Sequence, residues 1–207
     1  MHWTQAFLAT ALVLYLAAFL AILVVVKRST GTNPIGHDGG HRSAALLNKV
    51  ASLLLLLTAV AYSFNAQSVD WFGRISLVDS PVVQGLGVTA CVLSGVCLAW
   101  GEISLGRSFR VALPEGVQPL VSRGIYRFIR NPLALSVDLL ALGVLFLAPS
   151  WLALTSLALN VAGYECKIRI EEAYLRQVHG AAYADYCAQT GRYLPRVRKI
   201  WLGRGES

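Results

Sequence analysis

Apolar residues run along this chain in long blocks, separated by short stretches where Gly, Pro, His and Arg collect. Ala6 to Val26 is 21 residues without a charge. As a helix rising ~1.5 Å per residue, that crosses a hydrocarbon core of roughly 30 Å. No Lys or Arg precedes it, whereas Lys27 and Arg28 follow it. It therefore reads as a retained span with its N-terminus outside, and it is too long for a signal-peptide core. A Gly/Pro/His loop, Gly31 to His41, leads to a second span at Ala44 to Phe64, and a third is predicted from Val82 to Trp100.

The fourth apolar block, Pro132 to Gly163, has 32 residues, too many for one span and few for two. Ala148-Pro149-Ser150 interrupts it. Pro149 cannot donate to a helix ladder and disfavours helix at the residue before it. The pattern predicts a helix-turn-helix hairpin with two short legs, the second continuing as an amphipathic helix through Val178. A re-entrant pair that never crosses fully fits the same pattern. The expected fold class is an all-α polytopic membrane bundle of about five transmembrane helices. It forms one membrane domain over 1–207, with three N-terminal helices in 1–104 and a candidate catalytic region in 105–200.

Composition agrees. Charged residues make up 14% of the chain and mean hydropathy is +0.56, against about a quarter charged in ordinary soluble domains. With the N-terminus outside, loop 65–81 and the hairpin tip face outward. Seventeen of the eighteen Lys and Arg then fall on the cytoplasmic side, Arg74 being the exception. That is the positive-inside bias, so the net charge of +7 reads as a topology and lipid-surface signal and not as nucleic-acid binding. Cys91, Cys97, Cys166 and Cys187 show no CxxC spacing and read as packing residues. His37 and His41 have the spacing of a helical metal pair, but Gly36, Gly39 and Gly40 around them favour a polar loop. No metal site is expected.

The polar residues gather in two cytoplasmic blocks on either side of the hairpin, Leu105 to Pro132 and Glu165 to Pro195. The hairpin should bring them side by side. Arg123, Arg127 and Arg130 are membrane anchors or contacts for a carboxylate or phosphate. Asn131 is a candidate N-cap before Pro132, which would place a helix N-terminus at the mouth of a pocket. Asp138, six residues into the fourth block, needs a partner or a wet cavity there. It does not share a helix face with Ser136. In the second block Glu165, Arg169, Glu172 and Arg176 form one helical stripe with acid-first pairs at i, i+4. Glu171 points about 100° away from Glu172.

At these blocks the sequence resembles the isoprenylcysteine carboxyl methyltransferase and phospholipid methyltransferase superfamily. The resemblance rests on Leu105 to Phe109, Leu120-Val121, Gly124, Tyr126, Arg130, Pro132, Glu171-Glu172, Tyr183, Tyr186 and Gly191 to Pro195, in the family's order. It covers about residues 100 to 195. Gln118 and Asn131 stand where the family usually has His, Ala134 replaces a Tyr and Ser136 a Gly. Asn and Gln keep hydrogen bonding without a His charge.

The resemblance implies methyl transfer from S-adenosylmethionine to a lipophilic acceptor at the cytoplasmic membrane face. Gln118, Leu120, Val121, Gly124, Tyr126, Arg130, Asn131, Pro132 and Glu171 would form the donor pocket. Arg169 and Glu172 would be catalytic, Arg169 orienting an acceptor carboxylate and Glu172 holding that Arg or taking a proton from an amine. Arg110 and Asp138 would contact the acceptor, which enters from the bilayer. The compact length fits a prokaryotic-type membrane protein. Two other readings use the same residues. A sterol-reductase-type enzyme would bind NADPH phosphates through Arg123, Arg127 and Arg130. A membrane binding or assembly factor would carry a degenerate donor site.

Overall fold

Backbone in hydrocarbon has to close its own hydrogen bonds, so each apolar block becomes helix. A computed structural model describes residues 3–30, 42–105 and 120–196. Its helices are α1 (Trp3–Thr30), α2 (Arg42–Phe64), the single turn α3 (Ser68–Trp71), α4 (Pro81–Leu105), α5 (Pro132–Leu147), α6 (Trp151–His179) and α7 (Ala181–Gln189). The chain is an all-α membrane bundle, with two isolated bridges and no strands among the described residues. α1, α2 and α4 are each long and apolar enough to span. α5, at 16 residues, reaches only about 24 Å, so the first hairpin leg is short, as its sequence predicts. α6 carries the second leg on to His179. The third span extends past the expected Trp100 to Leu105, which brings Glu102 inside the helix.

Large apolar side chains such as Leu14, Leu53 and Val92 are exposed along α1, α2 and α4, where lipid would cover them. Between helices the residues are small. α4 packs most extensively on α5, and α2 on α6. A Cβ at Gly87 would press on Leu147 and Phe146, and one at Gly143 would overlap the Cys91 sulfur. Lipid tails are as apolar as Leu, so close approach and interhelical hydrogen bonds must drive the packing. Ser94 Oγ donates to the Ser136 carbonyl at 2.6 Å and Ser156 Oγ to the Ala51 carbonyl at 2.9 Å.

One end of the bundle is closed by the hairpin tip and the α3 loop together. Ile75 N–H donates to the Pro149 carbonyl at 2.9 Å and Trp151 N–H to the Gly73 carbonyl at 3.0 Å. Loop 65–81 and the tip thus share a side, as the charge pattern requires. Ser150 caps α6, accepting from Ala153 N–H. At the opposite, basic end the two polar blocks meet.

Candidate active site

Entry into the basic end starts at a forced glycine. Gly124 has φ +58°, and a Cβ there would overlap the Ser104 side chain. The turn Gly124–Arg127 therefore lies directly on the end of α4. Ile125 N–H donates to Ser104 Oγ at 3.2 Å, and Arg123 Nε to the Ser104 carbonyl at 3.1 Å. Ile125, Tyr126 and Ile129 bury together against Leu105, Val121 and Leu135. Burial raises the Tyr126 phenol well above its ordinary range.

Past this turn, Phe128 to Asn131 runs alongside Gly191 and Arg192. Gly191 N–H donates to the Phe128 carbonyl at 3.1 Å, Arg130 N–H to the Gly191 carbonyl at 2.8 Å, and Asn131 N–H to the Arg192 carbonyl at 3.1 Å. Gly191 has no room for a Cβ, which would fall on the Leu194 carbonyl. Tyr186 on α7 donates to the Tyr126 carbonyl at 2.8 Å, and Tyr183, one turn earlier on α7, is 1% exposed. The two blocks lie side by side, as the hairpin connection predicts.

At their junction sits Glu172, its side chain 4% exposed. Arg192 Nη2 reaches Oε2 at 2.7 Å, Arg130 Nη2 reaches Oε1 at 3.3 Å, and Arg176 Nη2 reaches Oε2 at 3.3 Å. Arg192 Nη1 also binds Glu165 at 2.9 Å. Arg130 Nη1 donates to the carbonyls of Thr190 at 2.6 Å and Cys187 at 3.4 Å. Burial alone would raise the Glu172 carboxyl. The hydrogen bond from Arg192 and the charges of Arg192 and Arg130 outweigh it and hold that carboxyl below its ordinary value. The bond to Glu172 likewise raises Arg192. One carboxylate thus joins the segment before α5, the stripe of α6 and the segment after α7.

Three details depart from the sequence reading. Glu165 pairs with Arg192, not with Arg169; Glu172 pairs with Arg176 as its spacing predicts, but it also holds Arg130 and Arg192 and not Arg169. Arg169 is exposed. Asn131 occupies the cap position of α5, yet its side chain does not cap. Its Nδ2 turns to the Arg192 carbonyl at 3.4 Å, drawn there by the inter-block ladder. Pro132 stands at the first position of α5, as expected.

The remaining candidates lie around this junction. Leu120 and Val121 are half-buried on the approach to the turn, and Glu171 faces Lys167 at 3.9 Å. Asp138 is half-buried in α5, and its Oδ1 has no hydrogen bond among the described residues. Ser136 points to α1 and α4 instead, meeting Tyr15 at 3.1 Å. Gln118, Arg110 and Gly106 to Phe109 lie outside the described residues. Sequence reasoning gave no role to Arg192. Its signal was two acids seven residues apart on one α6 face, Glu165 and Glu172, with a Gly-Arg turn downstream. Among the described residues no cluster of His, Cys, Asp and Glu could hold a metal ion.

Comparison with known proteins adds to this geometry. A search of curated proteins found no match. The family model for phospholipid methyltransferases matches residues 82–182, from the start of α4 to the start of α7. It includes Gly124, Tyr126, Arg130, Pro132 and Glu171-Glu172. Through this segment the chain is similar to phospholipid methyltransferases, consistent with the isoprenylcysteine carboxyl methyltransferase and phospholipid methyltransferase superfamily.

Proposed function

We infer that the protein transfers a methyl group from S-adenosylmethionine to a lipophilic acceptor, with its basic end facing the cytoplasm. The observation that carries this reading is the Glu172 junction, which holds the Tyr126–Pro132 segment and the Glu171 turn of α6 together at the N-terminus of α5. The acceptor class includes isoprenylcysteine-type carboxylates and lipid amines.

The residues present suit the donor. Its carboxylate needs N–H groups and its ammonium needs an acceptor. The α5 N-terminus carries no side-chain cap, so its first amides and dipole favour an anion. Glu171, one helical step from Glu172, supplies a carboxylate within electrostatic reach of Tyr126. Leu120, Val121, Gly124 and Tyr126 offer an apolar wall, with Gln118 preceding them in the chain. When bound, the donor supplies a methyl group already activated by its sulfonium. The chain then has to align the acceptor and exclude water.

Within this reading Glu172 acts by position. A carboxylate held below its ordinary range by arginines is a weak proton acceptor, but it fixes Arg130 and Arg192 firmly. Arg169, exposed on α6 and without an ion pair among the described residues, would meet an anionic head at the membrane surface, and Arg110 and Asp138 would be further acceptor contacts. NADPH binding through three arginines finds less support. Arg130 is committed to Glu172 and two carbonyls, and Arg123 donates to the end of α4.

The test is calorimetric titration of the detergent-purified protein with S-adenosylmethionine, S-adenosylhomocysteine and NADPH. Micromolar binding of the first two is expected. Binding of NADPH alone would overturn the transferase reading, and binding of none would favour an assembly role.

A further inference from the structure

Between α1, α4 and α5 an apolar groove of about 340 Å³ opens sideways from the bundle. Its walls follow helical steps: Phe7, Ala11 and Ala18 on α1, and Cys91, Gly95 and Leu98 on α4. Leu14 and Val92, also lining it, are exposed, so the mouth lies on the lipid-facing surface. Gly95 leaves the space open, since a Cβ there meets nothing within 4 Å. The volume is at the small end for ligand sites, which run about 300–1,000 Å³, and suits a single hydrocarbon chain.

The same α4 stripe, 91, 95, 98, arrives one turn later at Glu102. This residue is 5% exposed, and its Oε1 has no hydrogen-bond partner among the described residues. A buried carboxyl oxygen without a partner is rare in native structures and calls for a group that is absent. The Glu102 carboxyl lies within electrostatic reach of Tyr15, in the groove wall, and of Tyr126, in the turn assigned to the donor. On α4 it stands one helical turn past Leu98 of the groove wall.

We propose that the groove takes the hydrocarbon chain of a long-chain amine and that Glu102 receives its amine head. An ionised carboxylate only accepts hydrogen bonds, and the complementary head is a cationic group rich in N–H. An anionic head would bring two like charges together in a buried setting. That this ligand is the methyl acceptor rests on the transferase reading; that it binds here does not.

The experiment uses the full chain in phosphatidylcholine nanodiscs. Three photoactivatable probes share one alkyl chain and differ in the head: a primary amine, its N-acetyl amide and the corresponding fatty acid. The amine is expected to crosslink to α1 and α4 within the groove, and Glu102→Gln to reduce that labelling about tenfold. The amide and the acid should label the groove weakly already. Equal labelling by all three heads, or labelling unchanged in Glu102→Gln, would overturn the proposal. Should Glu102→Gln fail to fold, Gly95→Leu fills the groove from a position with open space, and labelling at the wild-type level in that variant would also overturn it. S-adenosylmethionine titration of the same nanodiscs separates the two readings. Loss of donor binding sinks the transferase while leaving the crosslinking result intact.

Discussion

The two ends of this bundle each carry an arginine bound to two acids, and the two arrangements behave differently. At the loop end Arg74 meets Asp70 and Asp79, each at 2.7 Å. The three residues lie within ten positions of one another, and their side chains are 30–55% exposed. At the basic end Arg192 meets Glu165 and Glu172 from 27 and 20 positions away, and Glu172 is buried. The loop-end distances are as short or shorter, yet water competes for every one of those charges. Exposed pairs contribute only ~0–1 kcal/mol. A buried carboxylate with several arginines balances large opposing terms, so removing one partner is expensive. Short distances do not identify the important ion pair; burial and the elements it joins do.

Breaking the buried partner should have the largest effect. Glu172→Gln leaves Arg130 without its carboxylate and Arg192 with Glu165 alone, at a cost of about 3–5 kcal/mol. Denaturant or thermal unfolding in detergent would show it, with donor binding lost alongside. A variant that melts like the wild type would mean that the junction does not hold the blocks together.

Arg130→Lys is a subtler break. The guanidinium divides itself between Glu172 and the carbonyls of Thr190 and Cys187, a fork that an ammonium cannot reproduce. We expect a loss of about 1–3 kcal/mol and weaker S-adenosylmethionine binding by calorimetry. Unchanged affinity would remove Arg130 from the donor pocket.

Acid sharpens the comparison further. Glu172 is held below its ordinary value of 4.5, so its pairing stabilises the fold fully above that value. The contribution is lost as pH falls through the depressed folded-state value. Melting temperature should therefore decline on acidification below about 4.5, and Glu172→Gln should flatten that decline. An identical slope in wild type and variant would rule out this linkage. The smallest effect belongs to the loop end. Asp79→Asn should cost no more than about 1 kcal/mol, and the difference should shrink in high salt. A larger, salt-independent loss would make the two ends alike after all.

Much of the fold was legible in the chain. The apolar blocks set the membrane class, and Pro149 set the hairpin, since a proline inside a helix removes a donor and clashes with the turn before it. Helix ends were less clear. α4 runs on past Trp100, with Glu102 buried and Ser104 buried beneath the Gly124 turn, whereas a span rule based on hydropathy stops at the first charge. The candidate site was legible as two polar blocks and as the Glu165, Glu172, Arg176 stripe. Its partners were not. Helical spacing paired Glu165 with Arg169, but a local i, i+4 pair is worth only ~0.2–0.5 kcal/mol, and Arg192 arriving from the far side of α7 takes Glu165 instead.

Sequence by itself determined where the chain is in lipid, where it turns, and that its charges collect at one end. Those properties follow from local composition, because transfer to hydrocarbon and the helix ladder act residue by residue. Only the tertiary structure decided which charges meet. Glu172 finds Arg130 and Arg192 because the hairpin folds the α6 stripe under the segment before α5 and the Phe128–Asn131 ladder fixes Arg192 opposite it. A charge in a stripe has several partners within reach of its side chain. Packing, and the exclusion of water that comes with it, selects among them.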